Sequence, residues 1–345
     1  MCRAVINVLK HHFSQCSQIV FDVIRSSSLP SISTDFYGDA PSLCSLRLKC
    51  RVDDGVAAGS RKKAVAPAAP FTSSNVYELD IDGRNFAYAC LDLQSWRISL
   101  SKICHPIRIS LSHLTPSRKK DLRFTQWDLS AILSRIPGLT ALTLHDVEFG
   151  RTDYREGDGD DLSFIRVSQL VLSHMNAISL ERVLFAFELF DLKRMEVNRC
   201  EFSHAIDSLA PAADEITFKD IVNPVCIAGF LLDWQGTVLN FERCPELDDQ
   251  DLLELADEPR GHIFFDLKEC PNISVAGVRR MVESMNDVAL QEALHMGQYA
   301  VMSVSASNQN TAPPPSCQDL EWLFDHVEHF SWSGCGQIPM DWSRD

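Results

Sequence analysis

The 345-residue sequence predicts an α/β fold of stacked strand–helix units, on three observations. Leu239-x-Phe241-x-x-Cys244 recurs 26 residues later as Phe265-x-Leu267-x-x-Cys270, and each copy continues with Pro-x-(Leu/Ile). Each copy then runs into apolar residues at the i, i+3, i+4 spacing of an amphipathic helix. The same frame can be followed outward through most of the chain. One short strand and one helix cannot bury their apolar faces alone, but stacked copies close one another's core. An L-x-L-x-x-(N/C) core repeated at this kind of period is the pattern of a leucine-rich-repeat solenoid. Strand, turn and helix in constant order imply a horseshoe with a parallel sheet on the concave face and helices on the convex face.

The elements follow in order. MCRAVINVLKHHFSQ reads as an amphipathic helix that starts the fold. Lys10, His11 and His12 end its apolar run too early for a signal peptide, and no small-residue cleavage site follows. The first strand frame is Leu43-x-x-Leu46-x-Leu48, then Val76-x-x-Leu79-x-Ile81, Ile109-x-Leu111 and Leu139-x-x-Leu142-x-Leu144-x-x-Val147. Val167-x-x-Leu170-x-Leu172, Leu192-x-x-Met195-x-Val197-x-x-Cys200 and Ile216-x-Phe218-x-x-Ile221 lead into the two defining copies. YAVMSVS is a weak copy, with Val301 and Val304 out of phase, and Val327-x-x-Phe330-x-Trp332-x-x-Cys335 is an aromatic one. About ten or eleven strands result, in irregular repeats of 21 (Val197 to Phe218) to about 36 residues. Helices are expected over 125–136, 179–190, 223–234, 249–257, 274–284 and 317–327, with Asp248 or Asp249 and Ser274 as N-caps. A Pro-broken, poorer helix is expected over 202–213. Residues 53–75 and 305–316, rich in small residues and Pro, read as inserted mobile loops, and 152–161 as an acidic loop. The whole chain is expected to be a single solenoid.

Composition narrows the function. Hydrophobic residues make up 45% of the chain, enough for a large core, and no run of 18 apolar residues could span a membrane. Cys200, Cys244, Cys270 and Cys335 of the twelve cysteines fall at the repeat slot beneath the strand. A small buried thiol suits that slot, so the cysteines are expected to be reduced and the protein cytoplasmic or nuclear. Net charge is −15, divided as +7 over residues 1–120 and −22 over 121–345. Such an acidic body repels phosphate, so nucleic acid is not expected as a ligand. Arg61-Lys62-Lys63 and Arg118-Lys119-Lys120 read as solvated loop charge.

Candidate chemistries fail one by one. Asp158, Asp160 and Asp161 lack the spacing of an EF-hand, and Cys2, His11, His12 and Cys16 lack that of a zinc knuckle. His326 and His329 do not form H-E-x-x-H, and Asn272-Ile273-Ser274, though a glycosylation sequon, reads as a turn followed by a helix cap. No phosphate-binding loop, dinucleotide fingerprint or nucleophile elbow occurs. No catalytic, cofactor or metal residue is expected, no enzyme activity, and a monomer.

The outward strand positions carry more. Aligned, MEVNRC, ITFKDI, LNFERC and FDLKEC give one row of Asn198, Lys219, Glu242 and Lys268 and a second of Arg199, Asp220, Arg243 and Glu269. Charge alternates along both rows, and neighbouring strands about 4.8 Å apart make such rows attractive. With Glu196, Asn240 and Asp266, these residues form the candidate partner-binding face. A self-neutralising ladder and a recognition strip are both compatible with the pattern. Arg199 and Arg243 are expected to be largely exposed.

The Cys-containing repeats at 195–284 resemble those of leucine-rich-repeat F-box proteins. APSLCSLRLKC, HPIRISLSHLT and LEWLFDHVEHFSW extend the likeness to the F-box-like families of mushroom-forming fungi. The resemblance implies a protein-interaction scaffold, the substrate-recognition part of a ubiquitin ligase receptor. In that family an F-box opening on Leu-Pro binds the ligase adaptor. Here Leu29-Pro30 is followed at once by SISTDFYGDAP and the first repeat, so no F-box is expected and adaptor binding is in question. Alternatives are a regulator of another enzyme, such as a small GTPase, acting through the solenoid rim, and a folded family remnant.

Overall fold

Alternating burial along the strands builds the fold. In a computed structural model, residues 2–54, 71–115, 124–149, 164–203, 212–223, 227–256, 263–292, 301–307, 316–333 and 342–343 are described. The chain is α/β and divides into two compact units, Met1–Leu170 with Phe185–Asp191, and Val171–Leu184 with Leu192–Asp345.

The first unit opens with α1 (Cys2–Leu9) and a 3-10 turn, followed by β1 (Gln18–Arg25), β2 (Ser45–Val52) and β3 (Glu78–Asp82). Next come α2 (Gly83–Asp92), α3 (Gln94–Ser101), β4 (Ile107–Leu114), α4 (Gln126–Leu133), β5 (Leu139–Val147) and β6 (Phe164–Arg166). The chain then passes through β7 (Gln169–Ser173) and α5 (Ala177–Ala186) before β8 (Glu188–Phe190). Strands β1 to β5 pair in sequence order, all parallel. Strands β6 and β8 form a separate parallel ribbon. The paired core positions Leu46/Leu48, Leu79/Ile81, Ile109/Leu111 and Leu142/Leu144 are fully buried. Phe13, Phe36, Phe71 and Trp96 stack in a chain behind them, with centroids 5.3–5.7 Å apart.

The second unit continues with β9 (Arg194–Asn198), β10 (Glu215–Lys219), α6 (Ile227–Phe230), β11 (Val238–Glu242), α7 (Asp249–Ala256) and β12 (Ile263–Lys268). It ends with α8 (Val275–Glu292), β13 (Val301–Ser307), α9 (Cys317–His326), β14 (His329–Trp332) and β15 (Trp342–Ser343). Strands β9 to β14 are parallel, with one register shift between β12 and β13, and β15 adds an antiparallel pair. Along β9, β10 and β11 every second residue is buried, so one face packs inward and the other lies open. Phe218, Phe241 and Phe265 stack from strand to strand at 5.3 and 5.6 Å.

Each of seven strands turns at the same point. His113, Asp146, His174, Arg199, Asp220, Arg243 and Glu269 have φ between 51° and 57°, and none is glycine. In that left-handed turn the backbone N–H still reaches the next strand: Arg199 N–H donates to Lys219 O, Asp220 to Glu242 O and Arg243 to Lys268 O, at 2.8–2.9 Å. The chain then dives inward, which buries the following residue. Where that residue is cysteine, its thiol donates to the second core residue of the preceding repeat strand. The bonds are Cys200 Sγ to Leu172 O, Cys244 to Phe218 O and Cys270 to Phe241 O, at 3.5–3.7 Å. The expected small buried thiol is thus also a donor. Burial pushes the Cys200 thiol up to about 11, so it stays protonated. Cys16, Cys44, Cys50, Cys90, Cys104 and Cys317 are free, as are these three.

Several expectations are corrected. Strand β1 precedes the first frame read from the sequence, and its Ile19 and Phe21 are buried. Helices α2 and α3 were not expected. Residues Arg84 to Ala87, Ala89 and Cys90 are all buried, so α2 shows little of the amphipathic stripe that marks a surface helix. The helix expected over 179–190 stops at Ala186, because 188–190 pairs with β6. Helix α8 runs on to Glu292, and of the 223–234 expected, Ile227–Phe230 forms α6 while 224–226 lie outside the described residues. In YAVMSVS the expected phase break between Val301 and Val304 is present. Val304 pairs with Phe265 and Ala306 with Leu267, while a register shift at Ile263/Phe264 displaces Val301 from the frame. Asp248 caps α7, accepting from Gln250 and Asp251 N–H at 2.8 and 3.1 Å. Asp249 instead accepts from Ser274 N–H and Oγ, at 2.7 and 2.6 Å, beside the start of α8. A Cβ at Gly277 would lie 2.0 Å from that carboxylate, so a larger residue there would push Asp249 aside. Residues 152–161 and Cys335, most of the 53–75, 202–213 and 305–316 segments and both Arg-Lys-Lys clusters lie outside the described residues.

Phe241 and Leu267 are at most 1% exposed and touch the stack from both sides. Changing either to Ala should lower unfolding free energy by roughly 2–5 kcal/mol. Urea denaturation measures this, and a parent-like midpoint for either variant would mean that the inward register is wrong.

Candidate functional site

The open face of β9–β12 carries the residues singled out from the sequence, and the two charge rows are real ion-pair ladders. Asp220 lies between two arginines, Arg199 Nε at 3.3 Å and Arg243 Nε at 2.7 Å. Glu242 lies between two lysines, Lys219 at 3.1 Å and Lys268 at 3.3 Å, and also accepts from Arg243 Nη1. Arg243 therefore ties the rows together. Its hydrogen bond holds the Asp220 carboxyl below the usual range. Burial pushes Glu242 up, but the two lysine hydrogen bonds outweigh it and the net direction is down.

The carboxylates are recessed and the cations stand out. Side-chain exposure is 18% for Asp220 and 19% for Glu242, against 58% for Arg199 and 45% for Lys268. Arg243, at 39% and engaged on three sides, is more enclosed than the sequence suggests. The physical reason is that its guanidinium meets two carboxylates, Asp220 on the neighbouring strand and Glu242 beside it. Of the other expected residues, Glu196 accepts weakly from Asn198 Nδ2, at 3.4 Å. Asn240 is turned to Glu215 Oε1 and Thr217 Oγ1, at 3.0 and 3.1 Å. Asp266 is exposed and Glu269 half-buried.

Backbone strain marks the second row. An L-residue in the left-handed region costs roughly 1–2 kcal/mol, less for Asn, Asp and His, which visit it more often. Arg199, Arg243 and Glu269 have neither that tolerance nor the freedom of glycine. No residue-type signal in the sequence pointed to this turn, since all seven positions are non-glycine.

The first unit holds related features that the sequence reading missed. Asp80, 8% exposed, is held under Arg47 at 3.3 Å and Lys49 at 2.6 Å. His113 Nδ1 lies 2.9 Å from Asp146 Oδ2. Deeper still, Arg84 is 3% exposed, forks onto Asp53 and donates to the hydroxyl and carbonyl of Thr115. Asp82 caps α2 through Asn85 N–H at 3.0 Å, with Cys50 Sγ 3.7 Å from its other oxygen. Burial pushes the Asp82 carboxyl up to about 6, against the pull of the Asn85 N–H and of Arg84. The Cys50 thiol is pushed up to about 12, by burial first and then by Asp82. These thiols are inert as nucleophiles near neutral pH.

Comparisons with protein-family models, curated proteins and solved structures find no match to this chain. Among the described residues no group of three or more His, Cys, Asp or Glu is placed to hold a metal ion. No described helix is long and apolar enough to cross a membrane. The open strand face thus stands as the candidate site on its own geometry.

Two measurements check this description. Arg199→Gly should unfold about 1 kcal/mol harder than Arg199→Ala, because both lose the ion pair and only glycine relieves the turn. At an ordinary strand position the order is reversed, so alanine as the more stable variant would remove the left-handed turn from the account. The second concerns pH. Asp82 binds its proton more tightly folded than unfolded, so its contribution favours folding at low pH and is lost as pH rises from about 4 to about 6. Asp82→Asn keeps the cap and removes the charge. It should exceed the parent in stability at pH 7.5, by on the order of 2–3 kcal/mol, and match it near pH 4. An equal gain at both pH values would show that the buried charge is not the cause.

Proposed function

We propose that this chain is a leucine-rich-repeat scaffold that binds a protein partner through the open face of β9–β12, as the substrate-recognition part of an F-box-type ubiquitin ligase receptor. One observation carries the binding assignment. Four adjacent strands present Arg199, Asp220, Arg243 and Glu269 from a left-handed turn where glycine would be more stable. Strain kept at successive equivalent positions calls for a reason beyond folding, and a side-chain row offered to a partner supplies one. Rigid strands also lose little entropy on binding. The repeated core pairs and the Cys slot support the leucine-rich-repeat reading, and the cysteine-containing repeats support the ligase role by resemblance. Free buried thiols at Cys200, Cys244 and Cys270 fit a reducing, cytoplasmic or nuclear compartment.

Affinity capture from cell extract tests this. The tagged chain should retain a protein partner, with ligase adaptor and cullin subunits in its company. Arg199→Ala combined with Lys268→Ala should weaken that retention on the order of tenfold, with little change in melting temperature. Arg280→Ala, an exposed residue of α8 away from the strand face, serves as the control. Equal capture by the double variant and the parent would move the interface elsewhere. Capture without adaptor or cullin would remove the ligase role.

A further inference from the structure

The strip on β9–β12 is lopsided in a way that its charge balance hides. Asp220 and Glu242 each hold two or more cations and lie recessed. Arg199 and Lys268 stand above them, and Lys219, 27% exposed, lies between the two levels. An ammonium group has three N–H donors, and Lys219 and Lys268 are each paired with one carboxylate, Glu242. Arg199 meets Asp220 at 3.3 Å and remains more than half exposed. The acceptors of the strip are thus engaged below the surface while its donors face out. The first unit repeats the arrangement, with Asp80 beneath Arg47 and Lys49. A chain of net charge −15 therefore presents donor groups on both strand faces.

We propose that the partner docks on this strip through an acidic segment in the polyproline-II conformation, whose Asp or Glu side chains recur every third residue on one face. This rests on the open face being the binding surface. The spacing follows from geometry. Lys219 on β10 and Lys268 on β12 are two strands apart, about 9.6 Å at roughly 4.8 Å per strand, and a polyproline-II segment laid across the strands brings a side chain back to the same face after three residues and about 9.3 Å. Carboxylates fit better than phosphoryl groups. With Arg243 and Glu269 counted, the two rows hold four cations and three carboxylates, so a single negative charge per contact is matched and a dianion beside Asp220 and Glu242 is not. Glu196 and Asp266 flank the strip one row away and keep an acidic segment confined to these two rows.

Fluorescence anisotropy with labelled peptides tests the proposal on the full chain. The probe carries Glu at every third position among Ser and Ala. Its comparators are the same composition with the Glu residues in one block, the same spacing with Lys, and the same spacing with phosphoserine. The spaced-Glu peptide should bind at least tenfold tighter than the block and Lys peptides, and binding should weaken as salt rises. Lys219→Gln with Lys268→Gln should reduce it about tenfold, while Arg280→Ala leaves it unchanged. The salt titration uses the parent alone, so it decides even if a variant misfolds. Tighter binding of the phosphoserine peptide overturns the carboxylate source, and equal binding of spaced and block peptides overturns the register. If no peptide binds but an extract partner is still lost in the Arg199, Lys268 double variant, this inference fails and the proposed interface stands.

Discussion

Parallel strands held in register are the constraint on which everything else in this chain depends. A five-residue strand cannot bury two apolar side chains by itself. It does so because its neighbours on either side place Leu, Ile or Phe at the same height, as Phe218, Phe241 and Leu267 do. Slipping one strand by a single residue would turn its apolar pair outward and its charges inward. The same register aligns the open face, so Lys219 meets Glu242 and Glu242 meets Lys268 without any added device. Core and ladder are two sides of one backbone arrangement.

The left-handed turn joins these sides. It lets the backbone N–H of Arg199, Asp220 and Arg243 complete the ladder while the chain bends inward to seat Cys200, Ile221 and Cys244. The thiols then donate to a carbonyl of the preceding repeat strand, which a Leu or Val in that slot could not do. Recessed carboxylates follow from this bend too. Short Asp220 stays near the strand, while longer Arg and Lys side chains reach over it to solvent.

Much of this was legible in the sequence, and what was not has physical causes. Repeats with two alternating apolar positions and a cysteine betray themselves by period, and so the strand register from β9 to β12 and both charge rows could be read directly. β1 escaped because apolar Val20 and Ile24 stand on its outward face, which blurs the alternation around Ile19 and Phe21. Helix α2 escaped because burial on several sides leaves little polar stripe. The Asp53, Asp82 and Arg84 cluster joins residues from separate strands and a helix start, and no spacing in the sequence marks that meeting. The turn escaped because its signal is glycine, and this chain uses arginine, aspartate, histidine and glutamate instead.

The β6–β8 ribbon adds a different kind of consequence. Phe164 and Phe190 on the ribbon, with Phe185 and Trp127 beside each other at 6.0 Å, leave large aromatic faces in water. A surface of that kind attracts copies of itself. At neutral pH a net charge of −15 keeps molecules apart, but the isoelectric point is near 5.1. Mild acidification therefore removes the long-range repulsion while the aromatic attraction remains. The colloidal behaviour of this chain in slightly acidic buffer is thus set by four rings that belong to neither the core nor the charged strip.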